Sequence, residues 1–428
     1  MNRWIKGAAP VLSTLLLAAF LWTGCDILDV ENPNNLIEDD LNNPAAAGPM
    51  ANGAEAAVAR ALSFVYAPYS VATDEMTWVG SRDAWGQLDN GVIDFPGNEF
   101  SDQAYPYVGE ARWMTDEFAK RLEAFREQGA GNTQAQIRVY LYKAIIYTTI
   151  ADMFDDFTIS DRTEPGPPVG PQNMGTLYDE ALSAVNKALA LGPTGELEAA
   201  LLGMKARIVH GKAVWQKVNP VDTANPLVSA GAAEAAAALA KMDPNFRYQM
   251  VFDGGFQLAN YMASEVNNRL EFTFTDTWVR RNAAGNKVEE VTYPDMIDGV
   301  VHPYLQEVIE TYVAEREYSD ITVVSAREMH LILAEAALAG GDMNGFTTHI
   351  NNLRALDGLS PYSGQVDARQ LLIESRAVNL FLQGRRLADL YRFGLRSPEW
   401  VDTAPAVTRP GTFLPITKIE IEANPLVQ

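Results

Sequence analysis

The sequence predicts a mainly α protein, an irregular scaffold of helical hairpins with loop-rich insertions and a few short strands. Three observations predict it. Across residues 134–154, Tyr140, Ala144, Tyr147, Ala151 and Phe154 recur at steps of three and four, flanked by Ile137, Leu141 and Ile145. That stripe is too wide to face water and needs other helices against it. Residues 178–193 set a tyrosine and evenly spaced alanines ahead of a closing Gly192-Pro193. Residues 325–339 and 343–356 are two further amphipathic stretches joined by the turn Gly340-Gly341-Asp342.

The elements follow in order. Arg3 and Lys6 precede an uncharged apolar run, 8–22, that ends in Thr23-Gly24-Cys25. The run is short for a membrane-crossing helix, which needs about 20 residues, and Pro10 interrupts it. Residues 1–24 therefore read as a signal peptide. The cysteine after the small-residue cleavage site resembles the lipobox of bacterial lipoproteins, with Trp22 in place of the usual leucine, and makes Cys25 the expected lipidation site. Residues 25–51, rich in Asn, Pro, Asp and Glu, read as the lipidated tether.

An N-terminal helical region, 52–245, comes next. Residues 113–128 should form the antiparallel partner of 134–154, stopped by Gly129-Ala130-Gly131. The stretch 178–193 resembles the second helix of a tetratricopeptide repeat, whose alanines let neighbours approach closely. Residues 196–215 and 230–244 supply further helices. The spacing does not hold at a fixed period, so the scaffold is tetratricopeptide-like but irregular. Residues 71–107 and 246–322 differ in mixing Gly, Pro, Asn and aromatics. The first reads as an aromatic loop and the second as a loop-rich insertion, with one short strand at 271–275. Residues 323–428 form a C-terminal helical region.

Composition narrows the function. The chain has 428 residues, 55 acidic against 33 basic, and a net charge of -22. Removing 1–24 takes away two positive charges and no negative one, leaving -24. Such a surface repels phosphate backbones, which argues against nucleic acid as a partner. One cysteine and four scattered histidines give no metal-ligand spacing, and no cofactor motif is present.

The C-terminal third carries a family likeness. Glu374-Ser375-Arg376 through Gln383-Gly384-Arg385-Arg386 to Asp389-Leu390-Tyr391-Arg392 is similar to the C-terminal helix of SusD-like (RagB/SusD) lipoproteins. Phe413-Leu414-Pro415-Ile416, the terminal Asn424-Pro425, and the hairpin from Arg327 to Arg354 also resemble that family. Ser375, Asn379 and Gln383 stand where the family commonly has Glu. Arg385, Arg386, Asp389 and Arg392 are expected to pair along one face of a helix, as exposed structural pairs. The resemblance implies a non-catalytic, lipid-anchored protein at the outer-membrane surface. It would bind an oligosaccharide or similar large nutrient and pass it to a SusC-type TonB-dependent transporter.

Sugar recognition needs aromatic faces and planar polar groups. Trp78, Arg82, Asp83, Trp85 and Asp89 supply both within one short stretch, and the resemblance places the ligand pocket partly in this N-terminal region. The two tryptophans are also two helical turns apart, which fits anchoring equally well. Trp278, Arg280, Arg281 and Tyr293, with Asn267, Asn268 and Arg269 nearby, form a second candidate group, and Trp278 could equally be core. Tyr66 and Tyr69 read as packing.

Two other classes compete with the receptor. One is a tetratricopeptide-like assembly scaffold for envelope proteins, which has little use for tryptophan-bearing insertions. The other, a remote alternative, is a glycoside hydrolase using acid doublets such as Asp39-Asp40, Asp155-Asp156 or Glu289-Glu290. Adjacent acids point in different directions, and in so acidic a chain doublets arise by chance.

Overall fold

Helices begin where a short polar side chain accepts the first free amides. Asn98 takes the amides of Phe100 and Ser101 at 3.1 and 3.3 Å and starts α3 (Glu99–Glu127). Asn132 caps α4 (Thr133–Met153), and Ser325 caps α9 (Ala326–Ala339). Asp342 caps α10 (Met343–Leu356), and Asp367 caps α11 (Ala368–Asn379). The remaining described α-helices of about two turns or more are α1 (Ala47–Val71), α2 (Asp83–Asp89), α5 (Leu177–Ala190), α6 (Glu196–Val218), α7 (Ala232–Leu239), α8 (Pro303–Glu315) and α12 (Arg386–Phe393).

This computed structural model describes residues 40–161, 164–255 and 258–427. The expected signal peptide, Cys25 and most of the tether lie outside the described residues. The chain divides into two units at Ala46/Ala47. Of the first, residues 40–46 are described as two 3-10 turns. All that follows concerns the second, whose first helix begins within the stretch read as tether.

Successive helices pack on one another. α1 lies against α3 and α4, α4 against α5, α5 against α6, α6 against α7, α7 against α9, and α9 against α10 and α11. The alanine stretch forms α5 as expected, burying Tyr178, Ala181, Ala184, Val185 and Ala188 toward its neighbours. The hairpin of α9 and α10 closes over Leu331, Phe346, Ile350, Leu371 and Leu372. No described helix is long and apolar enough to cross a membrane.

Three two-stranded antiparallel sheets tie the insertions down. β1 (Met76–Trp78) pairs with β3 (Phe272–Phe274), β2 (Arg247–Met250) with β6 (Ile321–Ser325), and β4 (Val279–Arg281) with β5 (Val288–Val291). Residues 71–107 are therefore not a loop. They hold β1, α2 and the first turns of α3, which starts well before Trp113 despite Pro106. Nor is 246–322 mostly loop, since it contains α8 and parts of all three sheets.

The C-terminal helix breaks in two. Between α11 and α12, Leu382 and Gly384 take φ of 57° and 71°. A Cβ on Gly384 would also meet the Tyr66 ring at 3.3 Å. The bend lets the Leu382 amide donate to Glu75 Oε1 at 2.8 Å. It also turns the arginines inward, so that only Arg392 pairs with Asp389 along the helix as expected, and that pair is buried where the expectation was exposed. Arg386 grips Asp74 at 2.6 and 2.7 Å, Arg385 donates to Glu328 at 3.1 Å, and Arg376 donates to Asp389 at 2.8 Å. Fully buried Arg392 bonds Asp389 and Glu335, and Glu335 also accepts the Val228 amide and faces His210 at 3.1 Å. Burial alone would raise the Glu335 pKa, but Arg392, His210 and Arg376 hold it well below the usual range. Tyr178 Oη and Arg207 join Asp152 at 2.6 and 3.2 Å, linking α4, α5 and α6.

Candidate functional site

The strand pair β1–β3 brings the two sequence-predicted groups together, with Trp78 opposite Phe272. Around that junction the backbone of Ser81 and Arg82 donates to Glu271 Oε2 at 3.0 Å each. Gly80 is required there, because a Cβ would approach the Glu271 Cα to 2.6 Å. Arg82 lies 4.3 Å over Phe100 and pairs with Glu99. Asp83 is exposed in the first turn of α2, where its charge suits the helix end.

Three of the predicted contacts are framework instead. Trp85 has no exposed surface and stacks on Phe100 with ring centroids 3.5 Å apart. Trp278 is buried, with its indole N–H bonded to the Asp74 carbonyl at 2.5 Å. Neither offers a face to a ligand. Asp89 is also buried, accepting from Thr77 Oγ1 at 2.9 Å and the Trp78 amide at 3.0 Å. Burial pushes its pKa up to about 7.

The others lie nearer the surface without enclosing a space. Half-buried Trp78 covers Gly86, where a Cβ would meet its ring at 2.7 Å. Exposed Arg280 is held by Glu289 and Glu290 across the β4–β5 hairpin. Arg281 is held by Asp276, and half-buried Tyr293 packs on Trp278 at 4.7 Å. Asn267, Asn268 and Arg269 bond to the 312–317 segment or to Glu265. Tyr66 and Tyr69 are core, as expected.

A ligand-sized hollow lies elsewhere, along α3. It encloses about 430 Å³ between Tyr105, Pro106, Gly109, Glu110, Arg112 and Trp113 on that helix and Phe157, Thr158, Ser160, Asp161 and Glu420 opposite. Pockets for small ligands begin near 300 Å³. Trp113 is half-exposed, and its indole N–H donates to Asp161 Oδ1 at 2.9 Å, which fixes the ring. One turn back, Gly109 leaves open space, with nothing within 4 Å of a Cβ built on it. Thr158 and Asn424 donate to Glu420 Oε1 at 2.9 and 2.8 Å, and Arg112 is drawn back onto the Ser160 carbonyl and Asp116.

Beside the hollow, Glu110 pairs with Arg60 at 2.5 Å, and Arg60 lies over Tyr107 at 4.8 Å. Tyr107, Phe64 and Tyr261 then form a half-exposed aromatic row with centroids 4.3 and 4.2 Å apart. Other spaces suit sugars less. One of about 270 Å³ near Val266 and Arg316 has no aromatic lining, and one of about 30 Å³ among Asp152, Arg207 and Arg385 holds a water at most.

No family model and no curated protein matches the sequence. Solved structures do. A SusD superfamily protein from Bacteroides thetaiotaomicron superposes with a TM-score of 0.64 at 12% identity, covering 90% of this chain and 99% of that one. A SusD superfamily protein from Bacteroides fragilis gives 0.63 at 13%, covering 90% and 99%. The chain has the SusD fold. Surface glycan-binding protein A from Bacteroides thetaiotaomicron, solved with laminarihexaose, also shares it at a TM-score of 0.57 and 11% identity, covering 90% and 98%.

Within this SusD fold, the candidate site holds Trp113, with Phe64, Tyr107 and Tyr261 beside it, which the sequence reading does not single out. One signal was available. The buried face of α3 runs through Phe100, Ala104, Val108, Ala111, Thr115, Phe118 and Leu122, and Trp113 falls off it together with Pro106 and Gly109. A tryptophan off the buried stripe of a long helix, one turn from a glycine, is a candidate for ligand contact.

Proposed function

We propose that the protein is a cell-surface nutrient-binding lipoprotein. Anchored through Cys25 in the outer membrane, it takes an oligosaccharide or similar large nutrient into the hollow beside Trp113. It passes this to a TonB-dependent transporter of the SusC type and performs no chemistry on it. The observation that carries this reading is a ligand-sized hollow in a SusD fold, with a fixed, half-exposed tryptophan on its wall. The faces of pyranose rings are apolar and stack on such a ring, while carboxylates and hydroxyls at the rim accept from or donate to sugar hydroxyls.

Two of the three acid doublets fit a non-catalytic reading, and Asp39 of the third lies outside the described residues. Asp155 accepts the Phe413 amide and Asp156 the amides of Phe157 and Gly170, while Glu289 and Glu290 hold Arg280. Each is occupied in holding the fold.

The test is titration of the soluble form beginning after Cys25 with a glycan panel, with co-purification of the full chain from detergent-solubilised outer membrane. The reading expects glycan binding that Gly109→Phe reduces at least tenfold, and a large barrel subunit in the co-purified material. A secretion or peptidoglycan partner without glycan binding would favour the assembly scaffold.

A further inference from the structure

A space of about 270 Å³ lies between the β4–β5 hairpin and the end of α8, and it runs against the charge of the chain. The sequence has 55 acids against 33 bases, yet the ionisable groups lining this space among the described residues are Lys287, just before β5, and Arg316, just after α8. Exposed Lys287 has no carboxylate partner among the described residues. Arg316 gives Nε and Nη2 to the neutral Asn268 Oδ1 at 3.1 and 2.5 Å, which leaves Nη1 for a ligand. Glu317 comes to 3.8 Å from Arg316 Nε and offsets part of its charge, while accepting the Asn268 amide at 2.8 Å. Of the other acids on these segments, Glu289 and Glu290 hold Arg280, Glu265 holds Arg269, and Glu315 lines a different space.

The floor and the backbone point to a ligand as well. Thr273 of β3 lines the space at 1% exposure, and its hydroxyl makes no hydrogen bond with a described residue. A buried hydroxyl left unpaired costs stability until a partner arrives. Leu270 and Arg316, both on the lining, hold φ of 56°, where bulky side chains are uncommon, and Asn267 comes from a turn of π-helix, Glu265–Arg269. Such conformations persist where the surrounding fold enforces them, and they collect at ligand sites. We propose that this space is an anion site, separate from the hollow beside Trp113, for a carboxylate or sulfate carried on a body about the size of one sugar ring. Lys287 and Arg316 meet the anion, Thr273 donates to it from the floor, and Val266 and Val313 cover the body. The lining has no aromatic residue among those described, so charge and hydrogen bonds do the selecting, and an uncharged sugar of the same shape gains little.

The experiment is calorimetric titration of the chain beginning after Cys25 with galacturonate, glucuronate, inorganic sulfate and, as the uncharged counterpart, galactose. At least one of the two uronates should bind tenfold or more tightly than galactose. Inorganic sulfate should compete for the same site but need at least tenfold higher concentration, because it leaves Val266 and Val313 uncovered. Lys287→Gln should weaken the uronate at least threefold, Lys287→Gln/Arg316→Gln at least tenfold, and Thr273→Val, which keeps the shape and removes the donor, at least threefold. Lys287 is exposed, so Lys287→Gln keeps the fold and the Tm even where the double variant lowers it. Lys120→Gln, the same change of charge at an exposed position on α3, should leave the uronate affinity as it is.

No heat from either uronate, or galactose bound as tightly as galacturonate, would overturn the anion site. So would uronate binding that survives Lys287→Gln/Arg316→Gln and is lost with Gly109→Phe, which would put the anion in the hollow along α3. None of these results bears on whether that hollow takes an oligosaccharide, since the two sites share no lining residue.

Discussion

Replacing Glu75 with glutamine should stabilise the protein, and more so as pH rises. Glu75 is fully buried beside the end of α1, where its Oε1 accepts the Leu382 amide at 2.8 Å. Burial raises its pKa from 4.5 to about 8, outweighing that amide. The folded chain thus holds a proton that the unfolded chain releases above pH 4.5. With the folded pKa the higher, stability is whole at low pH, erodes as pH rises from about 4.5 to 8, and then levels off. At 1.36 kcal/mol per pH unit the loss reaches a ceiling of about 5 kcal/mol at pH 8 and about 3 kcal/mol at pH 7. Glutamine keeps the Oε1 acceptor, mimics the protonated acid and does not titrate. Glu75→Gln should therefore match the wild type near pH 4.5 and melt roughly 3 to 4 °C higher at pH 7. Differential scanning calorimetry from pH 4.5 to 8.5 measures this. A Tm difference that stays flat across the range, or favours the wild type at pH 8, would refute the assignment of a buried neutral carboxyl.

The remaining predictions are briefer. Burial raises Asp89, Asp155 and Glu374 to about 7 as well, so the wild-type Tm should itself fall from pH 5 to pH 8; a rise would contradict those burials. Trp85→Ala and Trp278→Ala should each cost about 3 to 5 kcal/mol in urea unfolding, because both rings fill the core. Trp113→Ala, on the surface, should cost about 1 kcal/mol or less while weakening glycan binding at least tenfold in calorimetric titration. Arg392→Met, which leaves Glu335 buried without its main cation, should cost about 3 to 5 kcal/mol, well beyond the effect of Arg280→Met on the exposed hairpin.

The repeated helices were legible because their signals are local. The tyrosine and alanine spacing of 178–193 gives α5, and the glycine turn at 340–341 divides α9 from α10 at the expected residues. Errors came where distant segments decide. The break between α11 and α12 depends on an amide bonded to Glu75, 307 positions away, and nothing near Leu382 announces a positive φ. Trp85 and Trp278 fit ligand contact and core alike in the sequence, because a tryptophan among charges looks the same buried or exposed; Phe100 and Phe272 pack on the first, and Tyr293 and Phe381 on the second. The sequence predicts this helix only from Trp113, whereas α3 starts at Glu99 and runs on through Pro106 and Gly109. Both sit on its outer face, where missing bulk opens the hollow instead of ending the helix. The SusD likeness was readable from motif order, since its arginines and acids form the buried network that holds the last helices.

A crystal structure of the chain with the tightest-binding oligosaccharide of the panel tests directly whether the hollow along α3 holds the ligand. A sugar ring should stack on Trp113, with hydroxyls toward Asp161 and Glu420 and the chain of rings running past Gly109. A ligand seated at Trp78 and Arg82, with the hollow along α3 filled only by water, would contradict it.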